Sequence, residues 1–186
     1  MTSRGTHPSL PDAETLLQRA AVARREDRLA DARRHYTAAV SFCRRTGPSP
    51  ELVKAIKGLG QIERDEGHEK EARRLHKEAV DVCRLIGDPL LLAHTIRHLG
   101  EIHQDAGRLE RAESLLLEAL ALYRSHKNPP TLDLANAVRP LAALKTATGE
   151  REEARRLWEE ARDLYGAVDV WEGVAEATAQ IARLDR

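Results

Sequence analysis

Apolar side chains recur along most of the chain at the intervals of three and four residues that place them on one face of an α-helix. Between residues 50 and 66, for example, the apolar positions are Leu52, Val53, Ile56, Leu59 and Ile62. This pattern, read together with the turn residues between the periodic segments, predicts nine helices, at residues 11–26, 28–45, 50–66, 68–86, 89–106, 108–126, 131–148, 150–165 and 168–184.

Two of the predicted helix starts carry capping residues. Ser49 can accept a hydrogen bond from a free N–H group of the first turn, and Pro50 suits the first helical position. Asp88 and Pro89 repeat this arrangement further along the chain. These residues support the predicted starts of the third and fifth helices.

Small residues recur with a period of about 40 residues. Gly67, Gly107 and Gly149 each precede a charged helical run, and a glycine suits a tight turn between two helices. A small residue stands seven positions before each of these glycines, and alanines stand five and twelve positions after it, at Gly60, Gly100, Ala142, Ala72, Ala79, Ala112, Ala119, Ala154 and Ala161. A degenerate first copy fits the same register with Ala20, Asp27, Ala32 and Ala39. We therefore expect two helices in each copy, which cross closely at these small residues.

The repeated residues resemble a known repeat family. Leu59-Gly60, Gly67, Ala72 and Ala79, together with the equivalent runs from Leu99 and Leu141, resemble tetratricopeptide repeats. The period here is 40 to 42 residues rather than the usual 34. In this respect the chain resembles kinesin light chains and bacterial signal-transducing regulators. HEAT repeats have a similar length, but the Leu-Gly, Gly and Ala register favours the tetratricopeptide repeat.

The resemblance implies an all-α fold, namely a right-handed α-solenoid of four helix pairs followed by a C-terminal capping helix. Within one domain at residues 11–186, the expected units are repeats at 11–47, 48–87, 88–128 and 129–166 and a capping helix at 167–184. Residues 1–10 are expected to form a flexible N-terminal tail.

Charge and composition narrow the classes of function. The 30 basic residues balance the 30 acidic ones, and this disfavours a nucleic-acid-binding domain, which usually shows a basic excess. No apolar run is long enough to cross a membrane, and the N-terminal residues lack the apolar stretch that is typical of a signal peptide. We therefore expect a cytoplasmic protein with no membrane partner. The 24 arginines against 6 lysines suggest a GC-rich bacterial genome.

The sequence contains no recognisable catalytic or cofactor-binding motif, so we expect neither an enzyme nor a cofactor. His94 and His98 have a spacing that can bind zinc, but a third ligand is missing from the pattern, and we expect no metal. Cys43 and Cys83 occupy the same position in successive repeats. We interpret them as small buried side chains rather than as a disulfide, because second helices of successive repeats stand too far apart.

The first helix of each repeat lines a concave groove in the family that this chain resembles, and the groove takes a peptide or a partner helix. By register, the candidate binding residues are Arg24, Lys54, Lys57, Gln61, Arg64, His94, Arg97, Glu101, Gln104, Asn136 and Arg139. Their basic members outnumber the nearby acids Asp65, Glu101 and Asp105. We therefore expect a mildly basic groove and an acidic or carboxylate-bearing protein partner.

A second candidate surface follows the second helices. Arginine pairs recur at one repeat position, at Arg33-Arg34, Arg73-Arg74 and Arg155-Arg156, whereas the third copy has Glu113-Ser114. One interpretation is a salt-bridged outer face. The alternative is a nucleic-acid-associated or signalling regulator that uses this arginine stripe. The sequence leaves open which surface binds a partner and whether two copies pair through their terminal helices.

Overall fold

The computed structural model describes residues 12–186, and in this range the chain forms nine α-helices and no strand. The helices are α1 (Ala13–Arg25), α2 (Leu29–Thr46), α3 (Pro50–Asp65), α4 (Glu69–Ile86), α5 (Pro89–Asp105), α6 (Leu109–Ser125), α7 (Thr131–Thr148), α8 (Arg151–Gly166) and α9 (Trp171–Leu184). The all-α prediction is confirmed, and the observed helix bounds differ from the predicted ones by at most three residues. The predicted start at residue 11 and the predicted tail at 1–10 lie outside the described residues.

The turn inside each repeat has the left-handed backbone that the glycine pattern predicts. Gly67, Gly107 and Gly149 have φ values of 80°, 68° and 83°. Asp27 occupies the same position in the first copy and has a φ of 57°. Aspartate tolerates this region better than most residues that carry a Cβ. The assignment of a first, degenerate repeat therefore agrees with the backbone.

Small residues allow paired helices to approach closely, as the sequence predicts. A Cβ atom added at Gly60 would lie 2.4 Å from the His76 ring, and one added at Gly100 would lie 2.9 Å from Leu116 Cδ2. His76 and Leu116 occupy equivalent positions on α4 and α6. Ala72, which follows the turn after Gly67, is fully buried. Each helix can therefore pack along the next with its backbone close to the neighbouring side chains.

Stacking extends these pairs into a continuous array. Each helix contacts the next one along the chain, and α1 also contacts α3 as α5 contacts α7. The handedness of the stack and its division into four pairs stay predictions. No helix within residues 12–186 is both long enough and apolar enough to traverse a lipid bilayer.

Ion pairs with the period of the repeat connect the second helices. Arg44 contacts Glu78, Arg84 contacts Glu118 and Arg124 contacts Glu160, with N–O distances of 2.5, 3.6 and 2.7 Å. These pairs link α2 to α4, α4 to α6 and α6 to α8. Exposed pairs contribute only ~0–1 kcal/mol each. Their main effect is to favour one alignment of the stacked helices, and they add little to the free energy of unfolding.

A second set of periodic contacts explains why the third copy breaks the arginine stripe. Arg33 on α2 pairs with Glu63 on α3. Two repeats later, between α6 and α7, the charges are exchanged, since Glu113 on α6 lies 2.5 Å from the Nζ atom of Lys145 on α7. Lys145 is buried, and the hydrogen bond that it donates to Glu113 raises its pKa. Glu113 therefore replaces the repeated arginine because the facing residue is a buried cation.

We expect Glu113→Arg to destabilise the fold by ~2 kcal/mol, because it places a second cation against buried Lys145. Glu150 and Glu153 remain as partners of Lys145 and limit the loss. The matched control is the opposite exchange at the equivalent position, Arg73→Glu, which faces His103 and should cost little. Chemical denaturation of both variants tests this expectation. Equal destabilisation by the two exchanges would contradict the proposed pairing.

Candidate partner-binding groove

A cleft of about 660 Å³ opens between the first helices α1 and α3, and we call it the α1–α3 cleft. Leu17, Ala21, Tyr36 and Gly58 supply its apolar part. Its polar lining includes four of the predicted groove residues, Arg24, Lys54, Lys57 and Gln61. Glu14 and Glu51 also line it, so the cleft carries both signs of charge rather than a uniform positive field.

Lys54 and Lys57 are the groove cations that retain unpaired charge. Within residues 12–186, neither side chain forms an ion pair with a carboxylate, whereas Arg24 contacts Asp65 at 3.3 Å. Burial, and next the nearby Arg97, lower the pKa of Lys57 to about 8. The Lys57 ammonium is therefore poorly solvated and would gain from an incoming anion.

Along the rest of the groove, carboxylates pair with the predicted basic residues. Arg64 pairs with Asp105, and Arg97 lies 2.5 Å from Glu101. Arg139 binds Glu176 through two contacts of 2.7 and 3.0 Å. Glu176 belongs to α9, outside the repeats from which the charges were counted. Carboxylates of the same helix, or of the second helix further along the chain, therefore neutralise these three arginines.

A half-buried polar network lies beside Lys57 on α5. Arg97 donates from Nη2 to His98 Nε2 at 3.0 Å, so His98 donates from Nδ1 to Glu101 at 3.0 Å. His94 Nε2 lies 3.2 Å from His98 Nε2 and is the donor of that contact. Burial, followed by Lys57, lowers the pKa of His94 to about 3. The two histidines are neutral at pH 7, and Arg97 is buried.

The remaining predicted groove residues do not join the cleft. Asn136 accepts a hydrogen bond from the Tyr165 hydroxyl at 2.9 Å, so it supports the contact between α7 and α8. Gln104 is half-buried near the end of α5. The structure thus brings four candidates on α1 and α3 to the cleft, with His94, Arg97 and Glu101 of α5 beside Lys57. The candidates on α7 do not line the cleft.

Among the cleft residues that the groove pattern does not predict, Tyr36 and His76 belong to second helices, which that pattern leaves out. Tyr36 reaches the cleft beside Gly58, because a Cβ atom at position 58 would lie 2.4 Å from the tyrosine ring and would block it. Gly58 was the available signal, since the equivalent positions in the next two repeats are His98 and Pro140. A glycine without counterparts in the repeat marks the place where a second-helix side chain reaches the groove.

Residues with metal-ligand character are held by other partners. Among residues 12–186, Glu63, Glu66 and His68 bring three ligand atoms within 4.8 Å of one another, but Arg33 donates to both carboxylates. Arg97 occupies the side of His98 that a metal shared with His94 would need. Cys43 and Cys83 are free and buried, as the repeat register predicts.

Carboxylates surround most of the arginine stripe, as the salt-bridge interpretation expects. Arg33 contacts Glu63 and Glu66, Arg34 contacts Asp31, Arg74 contacts Glu71 and Glu78, and Arg155 contacts Glu159 and Asp185. Arg73 differs, because its nearest carboxylate oxygen, on Glu69, is 4.0 Å away. Within residues 12–186, the stripe is therefore mostly a set of ion pairs, in which Arg73 is weakly paired and Arg156 forms none.

We expect the free energy of unfolding to fall by about 2 kcal/mol between pH 7 and pH 5 because of His76 alone. Burial lowers the pKa of His76 to about 4, whereas the unfolded chain takes up this proton near pH 6.5. The contribution of neutral His76 to the free energy of unfolding is thus present at pH 7 and is lost as the pH falls towards 4. His76→Leu copies Leu116 of the next repeat and should reduce the acid sensitivity while preserving the fold. Urea denaturation at the two pH values checks this, and an unchanged pH dependence in His76→Leu would refute it.

Comparisons with known proteins agree with this architecture. The family model described as tetratricopeptide repeat matches residues 12–85 and 58–125. BtubC (BKLC) from P. vanneervenii has 19% sequence identity and a TM-score of 0.75, over 89% of this chain and 69% of that chain. A search of curated protein sequences found no significant match.

Two further solved structures have the same fold. One is a Signal Transduction ATPase with Numerous Domains protein with a tetratricopeptide repeat sensor, from Pyrococcus horikoshii, at 17% identity and a TM-score of 0.80, over 94% of this chain and 27% of that one. The other is the apo form of RapI, at 13% identity and a TM-score of 0.80, over 93% of this chain and 62% of that one. The family model spans residues 12–125, more than half of the 186 residues, and the chain belongs to the tetratricopeptide repeat family.

Proposed function

We propose that this chain is a non-catalytic interaction module, and that the α1–α3 cleft binds a peptide or helix of a protein partner that carries a carboxylate. Tetratricopeptide repeats generally mediate protein–protein interaction. The observation that carries the proposal is the combination, in one cleft, of an apolar floor with two lysines that lack a carboxylate partner within residues 12–186.

The apolar floor supplies the non-specific part of the affinity. Leu17, Ala21 and Tyr36 present apolar surface to the cleft, and a partner side chain that covers it removes that surface from water. Burial contributes roughly 25 cal/mol per Å² of apolar surface. A medium-sized apolar side chain of the partner would therefore anchor the segment in the cleft.

Lys57 supplies the specific part. Its pKa of about 8 shows that the surroundings disfavour the charged ammonium. A carboxylate placed beside it compensates the lost solvation and forms a charge-assisted hydrogen bond. Lys54 is exposed at the cleft and assists through the longer-range field. Binding should consequently raise the pKa of Lys57.

The cleft is preformed, which lowers the cost of binding. The pairs Arg24–Asp65 and Arg64–Asp105 connect successive first helices at the groove side. Together with the arginine–glutamate pairs of the second helices, they favour one stacking register. The partner segment then bears most of the ordering cost, and the module bears little.

The test is a selection of binding peptides, because it requires no known partner. A random 15-residue peptide display library is selected on the intact chain, and the affinity of each enriched peptide is measured by calorimetry. We expect peptides that combine an acidic with an apolar residue. Lys54→Gln/Lys57→Gln should weaken their binding at least tenfold while the helical circular dichroism is retained.

The matched control is Arg34→Gln/Lys127→Gln, which removes two positive charges at exposed positions away from the cleft. This variant should bind the peptides like the unmodified chain. An equal loss of peptide affinity in both variants would show that binding depends on net charge rather than on the cleft. Peptides unaffected by the Lys54/Lys57 change would show that another surface binds, and either result would overturn the groove proposal.

A further inference from the structure

A second cleft, of about 380 Å³, lies between α4, α5 and α6, and we call it the α4–α6 cleft. Val80, Leu99 and Leu115 form its apolar floor. The polar lining consists of basic residues and one histidine, with no carboxylate among the lining residues: Lys70, Arg73, Arg74, Lys77, Arg84, His103 and Arg111. The absence of a lining carboxylate distinguishes it from the α1–α3 cleft, which glutamates also line.

Much of this positive charge is not neutralised. Arg74 forms ion pairs with carboxylates of α4, and Arg84 pairs with Asp81 of α4 and Glu118 of α6. Within residues 12–186, by contrast, Lys70, Lys77 and Arg111 form no ion pair, and Arg73 reaches Glu69 only at 4.0 Å. Four cations thus surround one cleft with a single marginal carboxylate contact among them.

The repeat itself shows what is missing at this position. At the preceding junction, the residue equivalent to Arg73 is Arg33, which pairs with Glu63. At the following junction, the equivalent pair is Glu113 with Lys145. Here Arg73 faces His103, so neither side supplies an anion. An ion pair that both neighbouring junctions contain is absent from the central one.

The surroundings of His103 agree with an unneutralised cleft. Burial, and then the charges of Arg108, Arg73 and Arg111, lower the pKa of His103. Its Nδ1 atom is buried and has no hydrogen-bond partner among the described residues. An anion in the cleft would oppose the effect of the arginines and raise the pKa of this imidazole.

We propose that the α4–α6 cleft binds a small phosphate-bearing anion, such as an inorganic di- or triphosphate or the phosphate tail of a nucleotide. Guanidinium and ammonium groups converging on one cavity suit an anion with several oxygen acceptors and at least two charges. The apolar floor strengthens each of these contacts by reducing solvent screening. The bound anion would occupy the place of the missing ion pair and connect α4 to α6. This site is independent of the α1–α3 cleft.

Calorimetric titration of the full chain with sodium pyrophosphate at 100 mM salt tests the proposal. We expect saturable binding of one equivalent. Arg73→Gln/Arg111→Gln should weaken it at least tenfold, and Lys70→Gln/Lys77→Gln, which changes two exposed side chains, should also weaken it. Arg34→Gln/Lys127→Gln removes the same charge elsewhere and should leave the affinity unchanged. The NMR-detected pKa of His103 should rise on binding, which a merely stabilising role of the arginines would not cause.

A parallel titration with ATP distinguishes the two sources of the phosphate. Tighter binding of ATP than of pyrophosphate would support a nucleotide, and equal or weaker binding would support an inorganic polyphosphate. Three results would overturn the proposal: no saturable pyrophosphate binding, an equal loss in the Arg34/Lys127 control, or binding of a 20-base-pair DNA duplex without binding of pyrophosphate. The last result would favour a nucleic-acid surface instead.

Discussion

The close approach of paired helices at glycine and alanine positions determines how the rest of the molecule is built. Gly60 admits the ring of His76, and Gly100 admits Leu116, so the backbones of α3 and α5 lie directly against side chains of α4 and α6. A pair packed in this way still exposes apolar side chains on its other faces, and only the next pair can cover them. The stacked array and the surfaces that it presents follow from this constraint.

Stacking brings side chains from successive repeats together at fixed intervals, where the second helix of one repeat meets the first helix of the next. The charges of the facing side chains then determine whether an ion pair forms at each of these junctions. Where the two facing positions differ in sign, as in Arg33–Glu63 and Glu113–Lys145, they form an ion pair between helices. Where they do not, the cations remain available to a ligand. Lys57 in the α1–α3 cleft and Arg73 in the α4–α6 cleft are the clearest examples. At both proposed sites, therefore, cations of the stacked repeats are left without a close carboxylate partner among the described residues.

The repeat could be predicted from the sequence to a large extent, because its signals are local. Helix periodicity and the recurrence of small residues are visible along the chain, and even Asp27 could be assigned to a glycine position. The position of Lys57 on the cleft side of α3 could also be predicted, because it depends only on the register of α3. The state of Arg139 could not, since its partner Glu176 comes from α9. Tyr36 enters the cleft only because Gly58 has no side chain, and this is a contact between repeats that no single-helix pattern reveals.

Chemical-shift mapping of the isotope-labelled 20.8 kDa chain with a selected acidic peptide tests the central claim most directly, because it reports which surface is covered without any substitution. The account predicts that the largest backbone shifts fall on α1 and α3, around Ala21, Lys57 and Gln61, and that the α4–α6 cleft is unaffected. Shifts concentrated at Lys70, Arg73 and Arg111, or on α9, with none around Lys57, would contradict it.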